Sequence, residues 1–268
     1  MKKITRYLLS MAVLYAAFSC LAIAHENPDP SIVHNARDGV VKLYGAGGPD
    51  TAFKKVAAVF TQETGIKVEI IGGPEPTWSK QAQADADILW GTAEEDITAL
   101  LETYQVFSSQ NVTPIYMRPA IIAVKKGNPK NIHSFEDLLK DGVHVVVTEG
   151  AGVANTSGTG TWEDVAGRLG RLDDVKRLRK NIIGFGKGSG ASFKLFAADN
   201  ADAWITWPDW PITHSDMAEI VELSPERRIW RDVNVVLATD ADPQAKQFLD
   251  FLSSERGAAI MNTEGWVR

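Results

Sequence analysis

The chain has 268 residues, a formal net charge of −6, one cysteine, and 44% apolar against 23% charged residues. That length is enough for two domains with sizeable cores. The acidic balance excludes nucleic acid and anionic membranes as default partners, and a lone cysteine excludes an internal disulfide.

Met1-Lys2-Lys3 with Arg6 forms a basic head, Leu8 to Leu21 is an uncharged apolar run, and Ala22-Ile23-Ala24 places small residues where a signal peptidase reads them. These parts predict a secretory signal peptide over residues 1–24. The apolar run is shorter than the ~20 residues of a membrane span. Export to the periplasm follows, with no span left after cleavage. Cys20 lies inside this leader, and Ala17 stands where lipid attachment favours a Leu-like residue. The leader holds three of the 28 basic residues and no acid, so the mature chain carries −9. An anionic ligand would have to be held by local dipoles and charges against that background.

Past the leader, strands and helices alternate. Val40 to Tyr44 reads as a strand, ended by Gly45-Ala46-Gly47-Gly48-Pro49. Asp50 then caps a helix with Phe53, Val56, Ala57 and Phe60 on one face. Gly65 stops it, and Lys67 to Ile71 is a second strand. Asp87 to Trp90 is a third, followed by Gly91-Thr92 and a helix through Leu101. Ala120 to Val124 is a further strand, and Val143 to Val147 a strong one after a short helix at Phe135 to Leu139. A Gly- and Thr-rich loop, residues 150–160, opens a helix near Thr161, with Asp164 placed for a capping box. Ser189 caps a helix over Ala191 to Ala198, and Ala203 to Thr206 is a strand. Val233 to Leu237 is a late strand, and Pro243, capped by Asp242, starts a helix with Phe248, Leu249 and Leu252 inward. Such alternation predicts βαβ units. The expected architecture is α/β, with two lobes that are each a mainly parallel sheet flanked by helices and a ligand cleft between them. Residues 25–124 with 233–268 form the first lobe and 125–232 the second.

Two loops suit an anion. Gly45-Ala46-Gly47-Gly48 lacks the third glycine of a dinucleotide fingerprint, since Asp50 stands there. Its backbone can still approach a smaller anion, and a plain tight turn is the alternative. Asn155-Thr156-Ser157-Gly158-Thr159-Gly160-Thr161 gathers hydroxyls, an amide and glycines at a helix start, where N–H groups are unsatisfied and the dipole favours negative charge. Capping uses one or two of those hydroxyls. Arg118 lies near the crossing between lobes and can grip a carboxylate or phosphate with two parallel bonds; a solvated arginine is the alternative. Trp204, Trp207 and Trp210 recur every third residue around Pro208 and Asp209, with room for core rings and one cleft wall. The candidate contacts are Gly45, Ala46, Gly47, Gly48, Thr92, Arg118, Asn155, Thr156, Ser157, Gly158, Thr159, Trp207 and Asp209. No G-x-S-x-G or H-E-x-x-H occurs, and the five histidines lack ligand spacing, so neither catalysis, cofactor nor metal is expected.

Tyr44-Gly45-Ala46-Gly47-Gly48-Pro49, Arg118-Pro119-Ala120 through Gly127-Asn128-Pro129, Asn155 through Glu163, and Asp202 through Trp207 resemble the accessory colonization factor AcfC family over nearly the whole mature chain. More distantly the chain is similar to sulfate- and molybdate-binding periplasmic proteins, notably at Ala245 to Leu252, although glycines replace the Ser-rich first loop of the molybdate binders. The resemblance implies a type 2 periplasmic binding fold with two crossing strands. It also implies a small anionic ligand, either an organic acid with carboxylate or phosphate groups or a tetrahedral oxyanion, delivered to an ABC transporter permease. A sensing subunit for a chemoreceptor or kinase is the alternative role, and a periplasmic hydrolase a third. A homodimer is left open.

Overall fold

The computed structural model describes residues 28–149, 160–198 and 200–268. The expected signal peptide and the candidate contacts Asn155 to Thr159 lie outside the described residues. In chain order come β1 (Val41–Gly45), α1 (Asp50–Thr64), β2 (Val68–Gly72), α2 (Ser79–Asp85), β3 (Ile88–Gly91), α3 (Glu94–Thr103), β4 (Thr113–Pro119) and β5 (Ile121–Lys125). The middle of the chain supplies β6 (Val145–Thr148), α4 (Thr161–Gly167), α5 (Leu172–Asn181), β7 (Ile182–Gly186), α6 (Ser189–Ala197), β8 (Ala203–Thr206), α7 (Asp209–Thr213) and β9 (Ala218–Glu222). β10 (Trp230–Leu237), α8 (Pro243–Leu252) and α9 (Glu255–Thr263) complete it.

These strands form two five-stranded sheets, ordered β2-β1-β3-β10-β4 and β7-β6-β8-β5-β9. Four of the five strands in each sheet run the same way, as expected of mainly parallel sheets, and one reversed strand makes each sheet mixed. β2, β1 and β3 run parallel, while β10 is antiparallel to both β3 and β4. β7, β6 and β8 run parallel, while β5 is antiparallel to both β8 and β9. The antiparallel ladders belong to β5 and β10, the strands that enter each sheet directly from the other half of the chain. The boundary expected after residue 124 is corrected. β5 pairs with β8 and β9, so the chain crosses at Pro119–Ala120 and returns at Ile229–Trp230. There the Ala120 N–H donates to the Ile229 carbonyl at 2.9 Å.

Each sheet has its own core. α1 turns Phe53, Val56, Ala57 and Phe60 onto the first sheet, as its 3.6-residue period dictates, and meets Phe248 and Leu252 of α8 and Met261 of α9. Burying each such side chain stabilises by about 1.5–3 kcal/mol. Asp50 is the first residue of α1 rather than its cap; its carboxylate holds Lys54 at 2.9 Å. Gly65 closes the helix at φ +76°, a left-handed conformation that glycine adopts without steric cost. In the second sheet Ile122, Val124, Val145, Val147, Ala203 and Ile205 face Phe135, Leu138, Trp162 and Val165. Among the described residues no helix is long and apolar enough to cross a membrane.

A buried carboxylate ties the first lobe together. Asp87 accepts from the backbone N–H of Lys42 at 2.8 Å and of Asp242 at 2.6 Å. Burial, with the nearby Asp242 and Asp38 charges, pushes its pKa up to about 6. A folded-state value above the unfolded one means that protonation favours folding. The contribution is full below the unfolded value and is lost as pH rises through about 6. The stability of wild type relative to Asp87→Asn is therefore expected to grow by roughly 2 kcal/mol between pH 7 and pH 4. Paired thermal melts check this, and parallel pH profiles would refute it.

Candidate functional site

Along β4 alternate residues share a face. Tyr116 lies in the core beneath α8, and Arg118 follows on the same side just before the crossing. The guanidinium is 1% exposed. Its Nη1 donates to Asp209 Oδ1 at 2.5 Å. Asp209 opens α7 in the second lobe, so the bond joins the two halves of the molecule. The guanidinium carbon lies 4.9 Å from the ring centre of Trp207 and 4.4 Å from that of Trp266, within cation–π range of both. Gly48 completes the group. Its φ is +110°, and a Cβ there would lie 3.0 Å from Arg118 Nη2.

The guanidinium is not saturated. Among the described residues Arg118 Nε and Nη2 are buried with no hydrogen-bond acceptor, as are Nε1 of Trp207 and of Trp266. Burial lowers the arginine's pKa and raises that of Asp209, each opposed by the partner's charge, with Asp50 adding to the rise of Asp209. The arginine keeps its proton nonetheless, because a guanidinium is not deprotonated in proteins. A buried cation with one carboxylate partner and two idle N–H groups is a donor set for an anion, in a setting where charge-assisted bonds are strong. Among the described residues no cluster of His, Cys, Asp and Glu could hold a metal.

The structure separates the candidate residues. Arg118, Gly48, Trp207 and Asp209 come together. Gly45 is a packing residue instead, since a Cβ there would meet the Trp90 carbonyl oxygen at 2.3 Å and its ring at 2.4 Å. The Ala46 carbonyl accepts from Trp90 Nε1 at 2.6 Å. A Cβ on Gly47 would meet no atom within 4 Å. Thr92 is fully buried, and its N–H and hydroxyl both donate to Asp96 at 2.8 and 3.2 Å, so it braces the start of α3. Gly160, at φ +72°, is the cap of α4, with Thr161 the first helical residue. Asp164 takes Arg231 at 2.7 Å. Likewise Gly188, not Ser189, precedes α6. Trp204 is core, and Trp210 packs on Phe193 and His214. Sequence reasoning missed Trp266. It follows Gly265, which packs on Pro208 of the other lobe and would have no room for a Cβ. No local pattern marks it.

Arg231 stands opposite Arg118 in the β10–β4 ladder, so the ion pair Arg231–Asp164 is a second, exposed link between lobes. It borders a separate open cleft of about 600 Å³ that shares no lining residue with the Arg118 group.

Gly48→Ala tests the first loop's proximity to Arg118. A side chain at this φ costs about 1–3 kcal/mol, and the methyl would push Nη2 aside. Anion affinity is expected to fall at least ~10-fold, measured by titration at a temperature where the variant is folded. Unchanged affinity would place the anion elsewhere.

The profile of the family described as bacterial extracellular solute-binding protein matches residues 41–267. The sulfate-binding protein of Salmonella typhimurium is 27% identical over 241 residues, covering 77% of this chain and 71% of that protein. The crystal structure of L-phospholactate-bound PEB3 superposes with a TM-score of 0.80 at 40% identity, covering 85% of this chain and 99% of that one. PEB3 from Campylobacter jejuni, in another crystal structure, gives 0.78 at 38%, with the same coverage. The sulfate-binding protein SubI from Mycobacterium tuberculosis shares the fold, with a TM-score of 0.66 at 17% identity over 85% of this chain and 86% of that one.

Proposed function

The chain belongs to the bacterial extracellular solute-binding proteins, and on that premise we propose that it captures a small anion between its two lobes for delivery to an ABC transporter permease. The single observation carrying the anion is Arg118: buried, bridging the lobes through Asp209, and left with two N–H donors lacking an acceptor. Gly48 supplies the close backbone approach, and Trp207 and Trp266 wall the site. Asn155, Thr156, Ser157, Gly158 and Thr159 complete it in this reading, with residues up to 119 and from 230 as the first lobe and 120–229 as the second.

A phosphorylated or carboxylated organic acid is favoured over a bare tetrahedral oxyanion. The 40%-identical PEB3 structure holds L-phospholactate, while the sulfate-binding relative is 27% identical. Export through residues 1–24 places this capture in the periplasm.

A thermal-shift panel at fixed pH tests the reading. L-phospholactate, a dicarboxylate and sulfate are compared with betaine and a neutral sugar. A ligand at 100 times its dissociation constant adds ~2.7 kcal/mol. Stabilisation by anions alone is expected; stabilisation by betaine or sugar alone would contradict it.

A further inference from the structure

We propose that the second lobe carries a docking face for an anionic lipid surface, built from α5, the turn before it and the edge strand β7. The opposite expectation followed from net charge, and the distribution of charge reverses it. Residues 168–187 hold seven of the 28 basic and two of the 34 acidic side chains, so the rest of the chain carries a net −11. All seven basic residues, Arg168, Arg171, Lys176, Arg177, Arg179, Lys180 and Lys187, are exposed, with Arg168 at the edge of the group, where it lines the cleft beside Asp164 and Arg231. Of the two acids, Asp174 is buried against Arg227.

Pairing separates this face from the remainder of the surface. Lysines and arginines elsewhere are largely matched, as in Lys54–Asp50, Lys67–Glu69, Lys246–Asp250 and Arg231–Asp164. Among the described residues only Lys180 of the seven forms an ion pair, an exposed one with Asp141 at 3.1 Å. Unmatched positive charge on an otherwise acidic protein is a field directed at an anionic partner.

Exposed apolar side chains stand among these charges. α5 turns Asp174, Leu178 and Asn181 inward. That leaves Leu172, Lys176, Arg179 and Lys180 on its outer side at helical spacing. Leu172 is 75% exposed, and Ile183 and Phe185 of β7 are 43% and 44% exposed. β7 is an edge strand, so nothing in its sheet lies beyond it. Phe185 rests edge-on against Trp162 with its outer part exposed, and basic heads around exposed aliphatic and aromatic surface are the pattern of surfaces that lie on a lipid interface. The face consists of an outer helix side and a strand edge, which suits a planar lipid surface better than an inserted peptide. Repulsion from the acidic remainder is screened beyond about 8–10 Å at physiological salt, so the face acts locally.

Cosedimentation with lipid vesicles decides the matter, using the whole mature protein. Vesicles containing about one-third phosphatidylglycerol are expected to bind it at low salt, and pure phosphatidylcholine is not. Binding is expected to weaken ~10-fold or more at ~0.5 M salt. Arg171→Glu with Lys176→Glu and Arg179→Glu should abolish it with the melting temperature and anion titration unchanged. If that variant melts early, the glutamine triple at the same positions replaces it, with at least ~10-fold weaker binding expected. No binding to anionic vesicles at low salt overturns the proposal, as does equal binding to phosphatidylcholine or to the folded variants. Retention on polyglutamate but not on vesicles also overturns it, in favour of an acidic protein partner.

Discussion

Arg118→Ala is expected to weaken anion binding by at least ~100-fold, the largest change of any single substitution in the site. Two charge-assisted hydrogen bonds of about 1.5–3 kcal/mol each disappear, and each 1.4 kcal/mol is a factor of about ten. Removing the arginine also leaves Asp209 buried beside its former partner. Breaking a buried pair from one side costs about 3–5 kcal/mol, so the empty variant will melt early and must be titrated below its transition. Arg118→Lys separates the two effects. It keeps a positive charge for Asp209 but cannot reproduce the two-pronged grip, so stability recovers more than affinity does. Affinity equal to wild type in the folded alanine variant would remove Arg118 from the site.

Arg227→Ala is expected to be the most destabilising change outside the site, at about 3–5 kcal/mol. Arg227 is 1% exposed in the second lobe. Its Nη2 donates to Asp174 and its Nε to Glu136 at 3.1 Å, and the guanidinium lies 4.0 Å from the Phe135 ring centre. One side chain thus ties the 135–139 turn to α5. For a chain this size the loss corresponds to a melting temperature lower by roughly 10 °C. Anion affinity of the folded variant should stay unchanged, since Arg227 touches none of the Arg118 group. Arg227→Met with Asp174→Leu should recover most of the loss, because an apolar replacement removes both buried charges. A double variant as unstable as the single one would show that the burial cost of Asp174 is not the cause.

Much of the fold was legible where one physical signal dominated. The β8 strand Ala203–Thr206 is fully buried, and its apolar run marks both ends. α1 was legible because Phe53, Val56, Ala57 and Phe60 share one face and a glycine stops it. β4 was missed because Thr113-Pro114-Ile115-Tyr116-Met117-Arg118-Pro119 carries two prolines, which an edge strand tolerates where no ladder bond is needed. β7 and β9 are edge strands too, one interrupted by Gly184 and the other bounded by glutamates. α5 has so few inward apolar residues that it reads as a solvated segment. Missing β4 misplaced the crossing by five residues and assigned β5 to the wrong lobe. Alternation of strands and helices announces βαβ units but not the direction of strands arriving from the other lobe, hence the mixed sheets.

The site was half legible. Arg118 and Gly48 were named from a loop and a crossing, but burial between two tryptophans depends on Trp266, which is distant in sequence and carries no motif. Gly45 was chosen for the reason that glycine lets a backbone approach, and the approach proved to be that of Trp90. Whole-chain composition is acidic, and it hid the local excess of basic residues at 168–187, which is visible in the sequence itself.

The most direct test of anion capture is a calorimetric titration of L-phospholactate into the wild-type protein. Saturable binding at one site is expected, with micromolar or tighter affinity, about 8 kcal/mol or more, lost in Arg118→Ala. No saturable heat with L-phospholactate, a dicarboxylate or sulfate, from protein that gives saturable heat with betaine or a sugar, would contradict it.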